Sequence, residues 1–576
     1  MKLLKLKMMK KYNSIVMLIV LCCALCKTEI SVATDSVFKN STDTVVQYRT
    51  SLTGPWLTTA STHTLLIDRI PDLNKVPVTE NSWGGKAGDY SSKAKNGTAG
   101  FFRIGKVGSR WVFIDPDNGM NIIHGVQGVD TQVKMDTPNP EFFTVYSNNL
   151  TNWSLETANL IADNSFNCIS TSMVSDIKKN LLNPTLLKKM SYTDILYMVQ
   201  DLGWDPLQRP SWFRTNIDNP LCLMWEPVFL TFIDSIAKTK AALYKDDIYF
   251  LGYLLDNELG FYSTNSTPGV YGIDIKAFMA FPKTTSAYIY ANNFLIQRGV
   301  SILTLNQADK DAFRDSVTNY FYRVTTAAIR KYDPNHLILG SRINPGIHDK
   351  ITLRACAKYC DVVSINLYGC WDPDLVNIND LRLWTNDKPF MVTEFYTKGD
   401  DACYNGIKQD NKDGGGWFVG NQSDRGCFYQ NYCIKLLKTL NCVGWLHFKY
   451  GDALIDNSPN LTNKGIVSPT FTPYLDFLKY IKQLNTNVYN ITNYIDGVPT
   501  TGITTAVENK KSNITVLVRG ANQIKVGNVD GLVSLYDSLG KLVAKKIAVN
   551  SSVDFIVNAN GVYIISNGED RLKIIF

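Results

Sequence analysis

A chain of 576 residues that is 45% apolar and 19% charged, with a formal net charge of only +7, is neither disordered nor a single ordinary domain. Lys2, Lys5, Lys7, Lys10 and Lys11 account for much of that charge, and no Arg/Lys block with interleaved aromatics follows them, which argues against nucleic acid as a partner. The five histidines include no HExxH pair and the cysteine spacings are unlike zinc sites, so no catalytic metal and no cofactor is expected.

Residues 1–33 read as a signal peptide. The five lysines form a basic n-region, Ile15 to Cys26 an apolar h-region, and Ser31-Val32-Ala33 a small-x-small cleavage site. The run is short for a membrane anchor, and Leu25 is a poor match for the small residue expected before a lipidated Cys26. The expectation is therefore a secreted or cell-surface chain with no integral membrane span. Nine cysteines remain beyond the leader, an odd number, so at least one thiol has no intrachain partner.

Residues 34–100, rich in Ser, Thr, Gly and Asn, read as an extended lead-in. From Gly100 onward short apolar runs alternate with helical stretches, as in parallel β/α units. The predicted strands are Asn121 to Gly125, Cys168 to Thr171, Ile195 to Val199, Tyr249 to Leu255, His336 to Leu339, Asp361 to Leu367, Pro389 to Thr393 and Val443 to Phe448. A long helix from Ala308 to Lys331 stops at Tyr332-Asp333-Pro334-Asn335. Eight strands with helices between most of them predict an α/β fold, a (β/α)8 TIM barrel over residues 101–483, with its active site at the C-terminal strand ends. Over 486–576 the pattern changes to short strands between Gly/Asn/Asp turns, which predicts a C-terminal all-β sandwich module.

Two of these strands end in carboxylates. Tyr249 to Leu255 runs into Asp256-Asn257-Glu258, and Pro389 to Thr393 runs into Glu394. A strand-end salt bridge or a helix cap would account for either glutamate alone. Together, on the fourth and seventh strands of one barrel, they suit retaining glycoside hydrolysis, in which one carboxyl protonates the leaving oxygen and the other attacks the anomeric carbon. Glu258 is then the general acid/base and Glu394 the nucleophile, with Asn257 placed to bond a substrate hydroxyl.

The Asn257-Glu258 and Glu394 pattern resembles clan A glycoside hydrolases. The segments Gly100 to Arg103, Arg110 to Asp117, Gly252 to Leu259, Thr393 to Tyr396, Asp424 to Asn431 and Gly444 to Tyr450 resemble agarase-like proteins of glycoside hydrolase family 50. That resemblance spans about residues 80 to 480 and implies a polysaccharide or oligosaccharide substrate, agarose or a related galactan. The lead-in is shorter than the N-terminal β-domain such agarases often carry. In this clan a strand-six aromatic often orients the nucleophile, which makes Tyr368 the candidate. Trp445 is a candidate floor for the sugar site, and Trp371 and Trp417 are candidate loop platforms. Gly414-Gly415-Gly416 would let the Trp417 loop close on a chain. His124, His447 and Arg342 end strands and are candidate substrate contacts. The stretches Val533 to Val543 and Asn560 to Ile565 resemble the sorting tail of type IX secretion substrates; a sugar-binding or barrel-capping module would look similar. The alternatives to a hydrolase are a non-catalytic carbohydrate-binding barrel and a transglycosylase using the same two glutamates.

Overall fold

A computed structural model describes residues 46–58, 64–70, 73, 78–134, 137–170, 188–215, 217–261, 272–344, 349–373, 375–454 and 461–497 of one compact unit. Of a second unit, over Thr501–Phe576, it describes 515–519, 523–529, 532–537, 542–557, 562–567 and 570–575. The expected leader over 1–33 lies outside these residues. Among the described residues no helix is long and apolar enough to cross a membrane.

The first unit is built on eight parallel strands: β1 (Ile123–Gln127), β2 (Cys168–Ser170), β3 (Ser191–Leu196), β4 (Phe250–Leu255), β5 (Leu337–Ile338), β6 (Val363–Asn366), β7 (Phe390–Glu394) and β8 (Cys442–Phe448). Their order in the sheet is β5-β4-β3-β2-β1-β8-β7-β6. The two edges meet: Asp361 N–H donates to Ile338 O (2.8 Å), Ile343 N–H to Ser364 O (3.0 Å) and Asn366 N–H to Ile343 O (3.1 Å). The sheet curls on itself as a (β/α)8 barrel does.

Helices cover the outside. The longest, Gln307–Tyr332, starts at an Asn306/Asp309 capping box. Where it ends, Asp333 accepts from His336 Nδ1 (2.8 Å) and from the Tyr253 hydroxyl (2.6 Å), and so fixes the start of β5 against β4. Inside the barrel, Ile123, Cys168, Ile195, Leu251, Leu254, Leu337, Val362, Met391, Val443 and Leu446 form one apolar cluster. Trp83, Phe102, Ile104 and Phe113 join it, the last three from an antiparallel sheet over Ala94–Asn121 that plugs the N-terminal end. The opposite, C-terminal end is left for chemistry.

Two departures from the sequence reading concern boundaries. The lead-in is in part structural. Gln47–Arg49 pairs with Trp417–Val419, and the N–H groups of Leu65 and Ile67 donate to Asn431 Oδ1 (2.8 Å) and Gln430 Oε1 (3.1 Å) of the Gln422–Lys438 helix. Residues expected to open the C-terminal module instead form a helix, Val488–Ile495, whose Val488, Tyr489 and Ile491 are buried in the barrel unit's core. Tyr489 also donates to Gly84 O (2.9 Å), and Arg110 is ion-paired to Asp496 (2.7 Å). The 3.6-residue period is hard to read in eight residues that carry Asn490 and Asn493.

The second unit holds a three-stranded antiparallel sheet (Thr515–Arg519, Gln523–Gly527, Ser552–Ile556) and a four-stranded one (Leu532–Asp537, Leu542–Ile547, Val562–Asn567, Asp570–Ile575). Ile524, Val526 and Phe555 of the first share an apolar cluster with Val533, Leu535 and Ile565 of the second.

The helix over Val488–Ile495 yields a direct test. A chain ending at Gln483 exposes the surface that Val488, Tyr489 and Ile491 cover, at roughly 1.5–3 kcal/mol for each side chain. Thermal unfolding should show it melting well below a chain ending at Thr500. Equal melting temperatures would mean that this helix adds nothing to the barrel.

Candidate active site

The site grows out of two irregular strand ends. Strict alternation would put Glu394 on the same side as Phe390 and Val392, facing the helices. The β6–β7 ladder slips between Ile365 and Asn366, so that Asn366 faces Glu394. Such a slip re-aims the side chains beyond it. Beyond β4 the backbone turns sharply, with φ +50° at Asp256 and +50° at Glu258; Arg342 after β5 has φ +52°. Non-glycine residues adopt this region only at a cost, and here three lie within one mouth.

Side-chain bonds hold the turn. The buried Asp256 carboxylate accepts from the N–H groups of Val199 (3.0 Å) and Gln200 (2.9 Å). The Gln200 amide bridges the Asn257 backbone, accepting from its N–H (2.9 Å) and donating to its carbonyl (3.0 Å). Asn257 Oδ1 accepts from Arg342 Nε (2.6 Å). Its Nδ2 has no partner among the described residues and remains available as a donor. Glu258 Oε1 accepts from Asn344 Nδ2 (2.9 Å) and Asn366 Nδ2 (2.8 Å).

Glu394, 6% exposed, is ion-paired through Oε1 to Arg342 and accepts at Oε2 from the Tyr368 hydroxyl. Gln127, with its amide oxygen toward the guanidinium, accepts from Arg342 Nη2 (2.7 Å) and donates to Thr393 O (2.7 Å). Burial first, and then the charge of Glu258, push the Glu394 carboxyl upward; Lys464 and Lys449 oppose this. Burial lowers Arg342 only to about 10, so it stays charged. Protonating Glu394 would strip a buried guanidinium of its counter-ion, at a cost of about 3–5 kcal/mol. The ion pair with Arg342 thus works against burial and favours the carboxylate form of Glu394.

The structure brings Glu258, Glu394, Asn257, Tyr368 and Arg342 together and separates the other candidates from them. Trp445 and His447 alternate with inward-facing Leu446, so they point at the helices. Trp445 is fully buried and donates to the Tyr429 hydroxyl (3.0 Å), and His447 Nε2 lies 3.1 Å from Lys464 O. His124 sits on the same outer side of β1, with Nδ1 2.9 Å from Ile122 O. Burial pushes both histidines down to about 3, so both are neutral. None of the three can floor a sugar site. Trp371 is buried, with one face stacked on Tyr48 (5.5 Å), whose ring also stacks on Trp417 (4.9 Å). Trp371 is thus no open platform; Trp417 is half-buried and lies beside Gly369, next to Tyr368.

The Gly414–Gly416 run does not serve loop closure. A Cβ at Gly414 or Gly416 would run into the Tyr396 ring, and Lys398 Nζ donates to the carbonyls of Asn411 (3.3 Å), Asp413 (3.2 Å) and Gly414 (3.0 Å). These glycines permit close approach.

Gln127, Gln200 and Asn344 were missed from the sequence. Extending the β1 alternation past Gly125 would have found Gln127; Gln200 and Asn344 lie in loops without a periodic signal. Among the described residues no group of three His, Cys, Asp or Glu could hold a metal ion.

Asp256 gives a pH test. Burial raises its pKa to about 7, against the bonds from Val199 and Gln200. A carboxyl with a raised folded-state pKa binds more protons folded than unfolded, so stability falls as pH rises from about 4 to about 7. Asp256→Asn removes this titration. Its melting temperature relative to the parent should therefore become more favourable on going from pH 4 to pH 8, and a pH-independent difference would exclude a buried, titrating Asp256.

No family model matches the chain. Among curated proteins, it is 25% identical to β-agarase B of a Vibrio species over 298 residues, 46% of this chain and 30% of that one. It is 23% identical to β-agarase A of the same organism over 317 residues, 47% of this chain and 30% of that one. The chain thus matches less than a third of the length of these curated relatives. Among solved structures, BpGH50 superposes with a TM-score of 0.65 at 24% identity, covering 79% of this chain and 98% of that one. An exo-β-agarase gives 0.58 at 18% identity, covering 73% and 69%. In fold and in sequence the chain resembles the agarase-like proteins of glycoside hydrolase family 50.

Proposed function

We propose that this protein is a secreted, agarase-like retaining glycoside hydrolase that cleaves β-glycosidic bonds of agarose or a related galactan by double displacement. The carrying observation is the pair Glu258 and Glu394 at one barrel mouth, each in a different bonding environment. Glu394, ion-paired to Arg342 and bonded by Tyr368, is the nucleophile that attacks the anomeric carbon. Among the described residues Glu258 receives amide donors, which also suit a neutral carboxyl, and it delivers the proton to the departing oxygen. In the second step Glu258 takes a proton from water, which displaces Glu394 from the anomeric carbon. Asn257 Nδ2 donates to the hydroxyl next to the reacting carbon, a bond that strengthens in the transition state. The agarase relatives support the galactan as substrate. The two sheets over Thr501–Phe576 form a sandwich module outside the chemistry, in keeping with their shared core.

Glu394→Ala should lose nearly all turnover on agarose oligosaccharides, and added azide should restore part of it by forming a glycosyl azide of inverted anomeric configuration. Full activity in a folded Glu394→Ala protein would sink the assignment.

Glu258→Ala should cut first-step rates by about 10²–10⁴-fold for glycosides with poor leaving groups, the usual worth of a general acid. Aryl glycosides with good leaving groups need little protonation and should suffer far less. Burst kinetics on the two substrate classes make the comparison, and equal losses would show that Glu258 is not the acid.

A further inference from the structure

Beside Glu258 lies a cleft of about 230 Å3 that the proposed mechanism does not use. Glu258, Leu259 and Gly260 line it together with Trp204, Phe213 and Pro220. Glu394 is not part of this lining. In a retaining hydrolase the nucleophile sits beneath the sugar that is kept, and the acid stands at the oxygen of the bond that breaks. A cleft that reaches the acid and not the nucleophile is therefore on the leaving side.

Trp204 is the notable surface of this cleft. It is 43% exposed, whereas Trp83, Trp153 and Trp445 are almost wholly buried. A large apolar ring left open in a cleft marks a place for a ligand more than a part of the core. The ring is also held in position. Tyr197 packs against it with centroids 6.0 Å apart. Trp204 ends the short Gln200–Trp204 helix, whose start is bonded to Asp256 at Val199 and Gln200. Gln200 bridges the Asn257 backbone, one residue from the acid. Platform and acid thus share one frame, and a ring stacked on Trp204 is positioned relative to the proton donor. Thr215 and Asn219 are among the polar residues of the lining; Thr215 is bonded to Gly203 O (3.1 Å) and Asn219 to Gly260 O (2.8 Å), which ties the lining together. An apolar face with a polar edge matches a pyranose ring, which has C–H faces and equatorial hydroxyls.

We propose that Trp204 is the stacking platform for the departing sugar, so that the site grips the galactan on both sides of the bond it cuts. This rests on the hydrolase reading above. The test compares neoagarohexaose, a galactan oligosaccharide with sugars on both sides of the bond, with neoagarobiosyl fluoride, whose leaving group is too small to reach Trp204. Trp204→Ala should lower kcat/KM on the hexaose roughly three- to tenfold, the usual worth of an aromatic contact. The fluoride should keep its parent kcat/KM within about twofold, and Trp204→Phe should recover part of the hexaose rate. Equal losses on both substrates, or no loss on the hexaose, overturn the platform. If the parent protein turns over neither substrate, the hydrolase reading itself falls. The platform for a departing sugar then falls with it, whereas a parent that cleaves the hexaose no faster than Trp204→Ala overturns the platform alone.

Discussion

The site depends on one buried charge. Arg342 is almost wholly buried, and a guanidinium in that position must find an anion and enough acceptors or unfold its surroundings. It finds Glu394 from β7, the Asn257 amide oxygen after β4 and the Gln127 amide oxygen from β1. Its own backbone N–H donates to Ser364 of β6 (2.8 Å). Five strands of the barrel, its own β5 included, are thereby referenced to one residue, three of them through its side chain. Moving any of them by an ångström would lengthen a bond to a guanidinium that is almost wholly buried.

Placing these groups requires backbone that the chain would otherwise avoid. Asp256, Glu258 and Arg342 each hold a positive φ, at a cost on the order of 1–2 kcal/mol per residue. The neighbouring bonds offset this cost. Asp256 collects two backbone N–H groups, Gln200 clamps the Asn257 peptide at both ends, and Asn344 and Asn366 hold the Glu258 carboxylate. The strained turns and the polar network are consequently one feature. Without the network the turns would relax, and without the turns the carboxylates would not meet at the mouth.

Much of this was legible in the sequence because burial on both faces leaves a plain signal. The β4 segment is an apolar run that ends abruptly in Asp256-Asn257-Glu258, and β7 ends in the same way at Glu394. What stayed hidden was direction within a strand. His124, Trp445 and His447 look like mouth residues by position, yet each is on the helix-facing side, one residue out of step with Gly125 and Leu446. A ladder slip such as the one before Asn366 is a property of the paired strands together and leaves no mark in either strand alone. Packing from far along the chain was equally invisible: Tyr48 covers Trp371, and Tyr396 fills the space that Gly414 and Gly416 leave. The Asp424 to Asn431 segment that carried part of the family resemblance proves to be scaffold. Its buried Arg425 donates to Thr397 O (3.0 Å) and Gly465 O (3.0 Å), and Gln430 and Asn431 receive the lead-in.

The two carboxylates differ in a way that bears on their division of labour. Glu394 meets a permanent cation and a phenol hydroxyl, both donors only toward it, so every bond it makes favours the ionised form. Glu258 meets two amide groups, which donate to a carboxylate or to the carbonyl oxygen of a carboxylic acid alike, and its second oxygen makes no bond among the described residues. As the proposed acid/base, Glu258 has to change protonation state twice in each cycle, and its Oε2, which makes no bond among the described residues, is the oxygen that would give and take the proton. As the proposed nucleophile, Glu394 has to keep its negative charge until it attacks, and Arg342 and Tyr368 serve that need. Arg342 then has a second consequence. If Glu394 forms an ester, as the proposed double displacement requires, the guanidinium loses its full counter-ion, which raises the energy of that intermediate. Hydrolysis would restore the ion pair, so in the proposed mechanism the charge that holds the nucleophile also favours its release.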